Sequence, residues 1–211
     1  MKRRSLAVTA VLAASAFALT ACATAIDGGA AADAPVGQSL GSLMPGLPAG
    51  DVMAQGTVMD VGGDVQLCLG AIADSYPPRC EGIPVEGWSW DGVGGGESAG
   101  DVRWGAYAVQ GVYDAAIFTV SRPPIPLALY DPAKPVEPSG GRPGAADEKT
   151  LLAIQDELPG RLGASYLGSG PEEGRLHVQV VWDDGTWQKA ADDDFGAGVV
   201  AIEPALVPIA P

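Results

Sequence analysis

Apolar and polar positions alternate with period two over Val52, Ala54, Gly56 and Val58, against Gln55 and Thr57. The same alternation returns over Val65, Leu67 and Leu69, against Gln66 and Cys68. A period of two is the mark of a half-buried strand. The intervening Asp60-Val61-Gly62-Gly63-Asp64 supplies a hairpin turn. Further strands are expected near Ile83 to Trp90, from Val102 to Tyr113, and over Ile117-Phe118-Thr119-Val120 after a break at Asp114-Ala115-Ala116, with a Gly-rich loop over Gly92 to Gly100. Five short strands predict a small closed or half-closed barrel, OB-like in strand count and order, with Gly105 and Gly111 where a strand bends sharply.

After residue 146 the period changes. Asp147 reads as a helix N-cap; Leu151, Ile154 and Leu158 then share one helical face, and Pro159-Gly160 is expected to end the helix. Leu176, Val178, Val180 and Trp182 alternate with His177, Gln179 and Val181, a strand closed by Asp183-Asp184-Gly185. A second short helix is expected over Thr186 to Phe195, and a buried strand over Val199 to Ile202. The fold class that follows is mainly β with a small α+β part: an OB-like barrel over 51–121, then a helix and strand module over 147–211. Pro123, Pro124, Pro126, Pro132, Pro135, Pro138 and Pro143 mark residues 122–146 as a semi-rigid linker. Its early part, Ile125 to Tyr130, is apolar enough to lie along the barrel.

The amino end has a different character. Lys2-Arg3-Arg4 precedes an apolar run from Leu6 to Leu19 that is shorter than the ~20 residues of a spanning helix, so residues 1–21 read as a secretory signal peptide. Leu19-Thr20-Ala21-Cys22 resembles a bacterial lipobox. That resemblance implies cleavage before Cys22 and a diacylglyceryl thioether on it, which places the protein on the extracytoplasmic face of the cell membrane. Ala16-Phe17-Ala18 and Ala23-Thr24-Ala25 also fit an ordinary cleavage site, which would make a secreted soluble factor instead. Residues 22–50, rich in Ala, Gly, Asp, Pro and Ser, read as a flexible tether spanning about 30 Å. Docking of the patch Leu40 to Pro45 is the less favoured reading of that stretch.

The 211 residues carry 12 basic against 26 acidic side chains. Loss of Lys2, Arg3 and Arg4 with the signal would leave nine basic residues and a net charge near −17. This balance argues against nucleic acid as a partner and against attraction to anionic head groups, so membrane attachment would rest on the lipid at Cys22. If Cys22 carries lipid, Cys68 and Cys80 remain as an even pair in an oxidising compartment. They lack C-x-x-C spacing and a nearby histidine, so a structural disulfide is favoured over a metal or redox pair.

Leu67-Cys68-Leu69-Gly70, Ser75 to Cys80, Gly87-Trp88-Ser89-Trp90, Trp104-Gly105, Gly111-Val112-Tyr113 and Phe118-Thr119-Val120 together resemble a module of lipoproteins from actinobacteria, over about a third of the chain. The resemblance implies an envelope location and a disulfide, and no mechanism.

Candidate chemistry is sparse. Trp88, Trp90, Trp104 and Tyr107, with Tyr113 nearby, are the aromatic concentration from which a ligand-contact face would be built, although core packing is the favoured role. Trp88 and Trp90, two apart, would face the same side of a strand. His177 falls on the polar side of its strand, and a Ser-His-Asp arrangement would need a serine held near it. Asp60, Asp64, Asp91, Asp101 and Asp114 are available for acid–base work but sit in turns. Neither Asp183-Asp184-Gly185 nor Asp192-Asp193-Asp194 matches a calcium loop, and Gly94-Gly95-Gly96 lacks the Lys of a phosphate loop. No cofactor, metal or catalytic set is assigned. The expectation is a non-catalytic binding or scaffolding lipoprotein with an envelope protein or glycan as partner; the alternative is an envelope hydrolase using carboxylates.

Overall fold

The computed structural model describes residues 39–131 and 143–209. Cys22, the signal peptide, Pro132, Pro135 and Pro138 lie outside the described residues.

The alternating segments form β1 (Val52–Val61) and β2 (Asp64–Cys68), joined by the predicted Gly62-Gly63 turn. There follow β3 (Ile83–Glu86), β4 (Gly96–Ala99), β5 (Val102–Tyr113) and β6 (Phe118–Val120). β1 pairs with β2, β2 with β3, β3 with β6, β6 with β5 and β5 with β1. That circuit closes a five-stranded, OB-like barrel. The β3–β6 pair is parallel and the other four are antiparallel. Val52, Ala54, Val58, Leu67, Tyr107, Val109 and Phe118 fill the interior and are almost wholly excluded from solvent.

Three features of this half depart from the pattern reading. β3 stops at Glu86, because Gly87 turns the chain at φ +73°, so Trp88 and Trp90 lie in a loop and not on a strand. β4, inside the expected Gly-rich loop, forms a hairpin with β5. Gly105 is required by close packing: a Cβ there would lie 2.6 Å from the Tyr107 ring. The early linker belongs to the barrel wall, since β7 (Ile125–Pro126) pairs with Tyr107 and Ala108 of β5 before a 3₁₀ turn over Leu127–Leu129.

In the second half, α1 spans Glu148–Leu162. Asp147 caps it as expected, accepting the Thr150 N–H at 3.0 Å. The helix does not stop at Pro159-Gly160. It continues one turn further because Leu158 and Leu162, four apart, both bury into the core, and their burial offsets the hydrogen bond that Pro159 cannot donate. β8 (Tyr166–Glu172) and β9 (Arg175–Val180) form an antiparallel hairpin. α2 (Thr186–Phe195) then leads to β10 (Val200–Pro204), parallel to β9. Both helices and the sheet enclose one core of Leu151, Ile154, Leu158, Leu176, Val178, Trp187 and Ile202. Asp183 and Asp184 do more than close a strand: the Asp183 carboxylate accepts the N–H groups of Trp187 and Gln188 in the first turn of α2.

Among the described residues, several contacts join the halves. Val181 and Trp182, just past β9, enter the apolar cluster of the barrel. The last strand, β11 (Leu206–Pro208), leaves the α/β unit and pairs with Val52, Met53 and Ala54 of β1.

The expected tether is corrected for residues 39–50, which are docked. Leu40 is 2% exposed within the α/β core, and its N–H donates to Asp194 at 2.9 Å. Gly41, at φ +84°, passes so close to the Arg161 carbonyl that any Cβ would collide with it. Trp187 Nε1 donates to the Leu43 carbonyl and Trp182 Nε1 to the Gly46 carbonyl, each at 2.7 Å, while the Gly46 N–H donates to Asp184 at 2.9 Å. Of the strap's apolar residues Leu40 anchors it in the core, and backbone hydrogen bonds at Leu43 and Gly46 hold the rest.

Candidate functional site: a crevice at the end of the parallel strand pair

β3 and β6 run side by side in the same direction, so their carboxyl ends fall together, and the chain leaves them by different routes. After β3 it turns at Gly87 toward the β4 hairpin; after β6 it passes through Ser121 into Arg122-Pro123-Pro124. Divergent exits from neighbouring parallel strands leave an opening between them. Here that opening is a crevice of about 310 Å³, walled by Trp88, Val93, Val120, Pro123 and Pro124, with Arg122, Ser89 and Asp91 bringing polar groups to it.

Trp88 is seated by other rings. Its ring centroid lies 5.1 Å from that of Trp90 and 5.3 Å from that of Tyr107. Its indole N–H is buried without a hydrogen-bond partner among the described residues, a costly condition for a polar group. Trp90 is held from two sides: Nε1 donates to Asp60 at 2.9 Å, and the Arg103 guanidinium stacks 4.3 Å above the ring. Tyr107 is fully buried and donates its hydroxyl to the Gly94 carbonyl at 3.0 Å; burial pushes its phenol pKa up.

The four candidate ligand-contact aromatics therefore separate. Trp88 lines the crevice, and Trp90 braces it from behind. Tyr107 is core, out of reach of any surface ligand. Trp104, 8% exposed, belongs to a different cluster with Met59, Cys68 and Cys80, where Tyr76 meets it edge-on at 5.5 Å. The Cys68–Cys80 disulfide, with Cα atoms 6.1 Å apart, closes the loop that carries Tyr76. Trp104 is thus packed beneath a cross-linked loop.

Arg122 was not singled out in the sequence, and nothing in its local pattern marks it. It forms no ion pair among the described residues, although its positive charge helps to lower the pKa of Asp51. The larger causes of that lowering are hydrogen bonds from Ser121 Oγ at 2.6 Å and Gln110 Nε2 at 2.9 Å.

Among the remaining candidates, His177, Asp114 and the run Asp192 to Asp194 have structural partners. His177 Nδ1 lies 2.6 Å from Glu203 Oε1 on β10 and is half-buried, so it is less open than its strand phase implied. Asp114 accepts the Ile117 and Ala116 N–H groups, which hold its pKa below the usual value. Asp192 meets Gln188 and the Gly198 N–H, Asp193 meets Lys189, and Asp194 meets Arg161 and the strap. A second, wider groove of about 650 Å³ lies beside α1, lined by Ile154 and Phe195 with Asp147, Lys149 and Glu157. Among the described residues, no group of three or more His, Cys, Asp or Glu is placed to hold a metal ion.

No family model, curated protein or solved structure matches the chain.

Proposed function

We propose that this protein is a lipid-anchored component of the cell envelope that binds a partner without chemical turnover, presenting the barrel crevice as its contact face. The localisation rests on Leu19-Thr20-Ala21-Cys22 following a basic and apolar leader. The binding role is supported chiefly by the crevice: an indole, a valine and two prolines give an apolar wall, and Arg122 supplies a cation unusual on so acidic a chain. Such a site suits a small apolar or ring-bearing group that carries a negative charge, as on an acidic glycan or peptide.

The test is photo-crosslinking in intact envelopes, with a photoreactive side chain at Pro124 and another at Glu148 on α1. A discrete adduct from position 124, absent from position 148 and lost in Arg122→Ala, is the expected result. Equal patterns from both positions would remove the crevice as the contact face.

A further inference from the structure

Twelve large apolar side chains are exposed among the described residues, and five of them, Leu43, Met44, Leu47, Val207 and Ile209, fall in two short segments. The segments adjoin. The strap runs into β1 through Asp51, whose carbonyl accepts the Ile209 N–H at 3.2 Å, and Val207 is registered opposite Met53. Met44 is 70% and Leu47 59% exposed, yet the backbone beneath them is fixed through Leu43 O, Gly46 N and Gly46 O. Apolar side chains held outward on pinned backbone differ from the singly scattered ones of an ordinary surface.

We propose that this patch, the strap with the end of β11, rests against the bilayer to which Cys22 would tether the protein. The inference depends on the lipid-anchor reading above. Leu40 of the docked strap is 18 residues after Cys22, a distance of at most about 60 Å when fully extended. Among the described residues, the strap is the segment nearest the anchor along the chain. Tethering raises the local concentration of the patch at the surface, so a contact too weak to recruit a free protein suffices to orient an anchored one. Charge fixes the kind of surface. With 26 acidic residues against the nine basic ones left once Lys2, Arg3 and Arg4 are cleaved away, the body gains nothing from anionic head groups. The flanking carboxylates of Asp51 and Asp184 already accept hydrogen bonds from the protein, with pKa values held below the usual range. The contact is apolar, made with zwitterionic lipid, and insensitive to salt.

Met44 reports on this contact directly, because its thioether is oxidised by peroxide only where water reaches it. The full chain, processed in a bacterial host and reconstituted into phosphatidylcholine vesicles, is compared with a Leu47→Asp, Val207→Asp variant in the same vesicles. Both altered side chains already face solvent, and matching thermal unfolding shows that the variant is folded. Peptide mass spectrometry is expected to show Met44 oxidising about fivefold more slowly in the unaltered protein, equally at low and high salt, with less protection when phosphatidylglycerol is added. Equal rates in the two proteins overturn the proposal, as does protection that grows with protein density on the vesicle, which would mean that a second copy covers the patch. The same spectra report Cys22. An acylated Cys22 with unprotected Met44 defeats the patch alone, whereas a bare Cys22 defeats the anchor and the patch with it.

Discussion

The indole N–H of Trp187 donates to the carbonyl of Leu43 at 2.7 Å, joining residues 144 apart in the chain. Trp187 is 1% exposed at the start of α2, so the strap is held by the core of the α/β unit. Trp187→Phe keeps most of the ring and removes the donor, and is expected to cost about 1 kcal/mol. Urea unfolding measures that cost, and thermolysin cleavage near Leu43 and Met44 should become faster. An unchanged midpoint with unchanged cleavage would show that the strap is held in some other way.

Gly41 provides a second test of the strap. Its positive φ and its approach to the Arg161 carbonyl leave no place for a Cβ. Gly41→Ala is expected to free the strap while leaving the barrel intact: hydrogen exchange at the Leu40 and Gly46 amides should rise by an order of magnitude or more, with exchange in β5 unaltered.

The Cys68–Cys80 link closes a short loop over Trp104. Replacing both cysteines by alanine is expected to remove about 3 kcal/mol and to loosen Tyr76 from Trp104. Calorimetry with and without reductant checks this. Equal melting temperatures for oxidised and reduced protein would mean that the loop is held by packing alone.

Acid should weaken the fold in a defined direction. Asp51, Asp114, Asp147 and Asp184 have pKa values below 3.8: Ser121 is the main cause for Asp51, the Ile117 N–H for Asp114, the Thr150 hydroxyl for Asp147, and Thr186, with the Gly46 N–H, for Asp184. A depressed folded-state pKa contributes stability that is fully present above the unfolded value and is lost as pH falls through the folded one. Stability should therefore be level in this respect above about pH 5 and decline below pH 4. Asp147→Asn should flatten part of that decline; an unaltered acid profile would contradict the capping role.

Elements that bury one face by regular alternation were legible in the sequence. β1, β2, β5, α2 and the Asp147 cap stand within a few residues of where the pattern puts them. β8 was not, because Gly168, Gly170 and Pro171 interrupt any alternation, and the strand exists through its ladder to β9. The apolar residues of Leu40 to Pro45 hint at docking, but the bonds that hold the strap run to main-chain groups, which composition does not display. The crevice depends on a parallel pairing of two very short strands, Val85 with Phe118 and Glu86 with Thr119. No local signal announces that pairing, so Arg122 and Trp88 could not be placed together from the sequence.

The proposed attachment of this body to a membrane runs through Cys22. Its most direct measurement is the mass of the amino-terminal peptide of the mature protein, taken from a washed membrane fraction of cells expressing the full chain. The expected peptide begins at Cys22 and carries acyl chains, with Cys22→Ser abolishing both the modification and the retention. A mature chain that begins elsewhere, or an unmodified Cys22 in protein recovered from the soluble fraction, would contradict it.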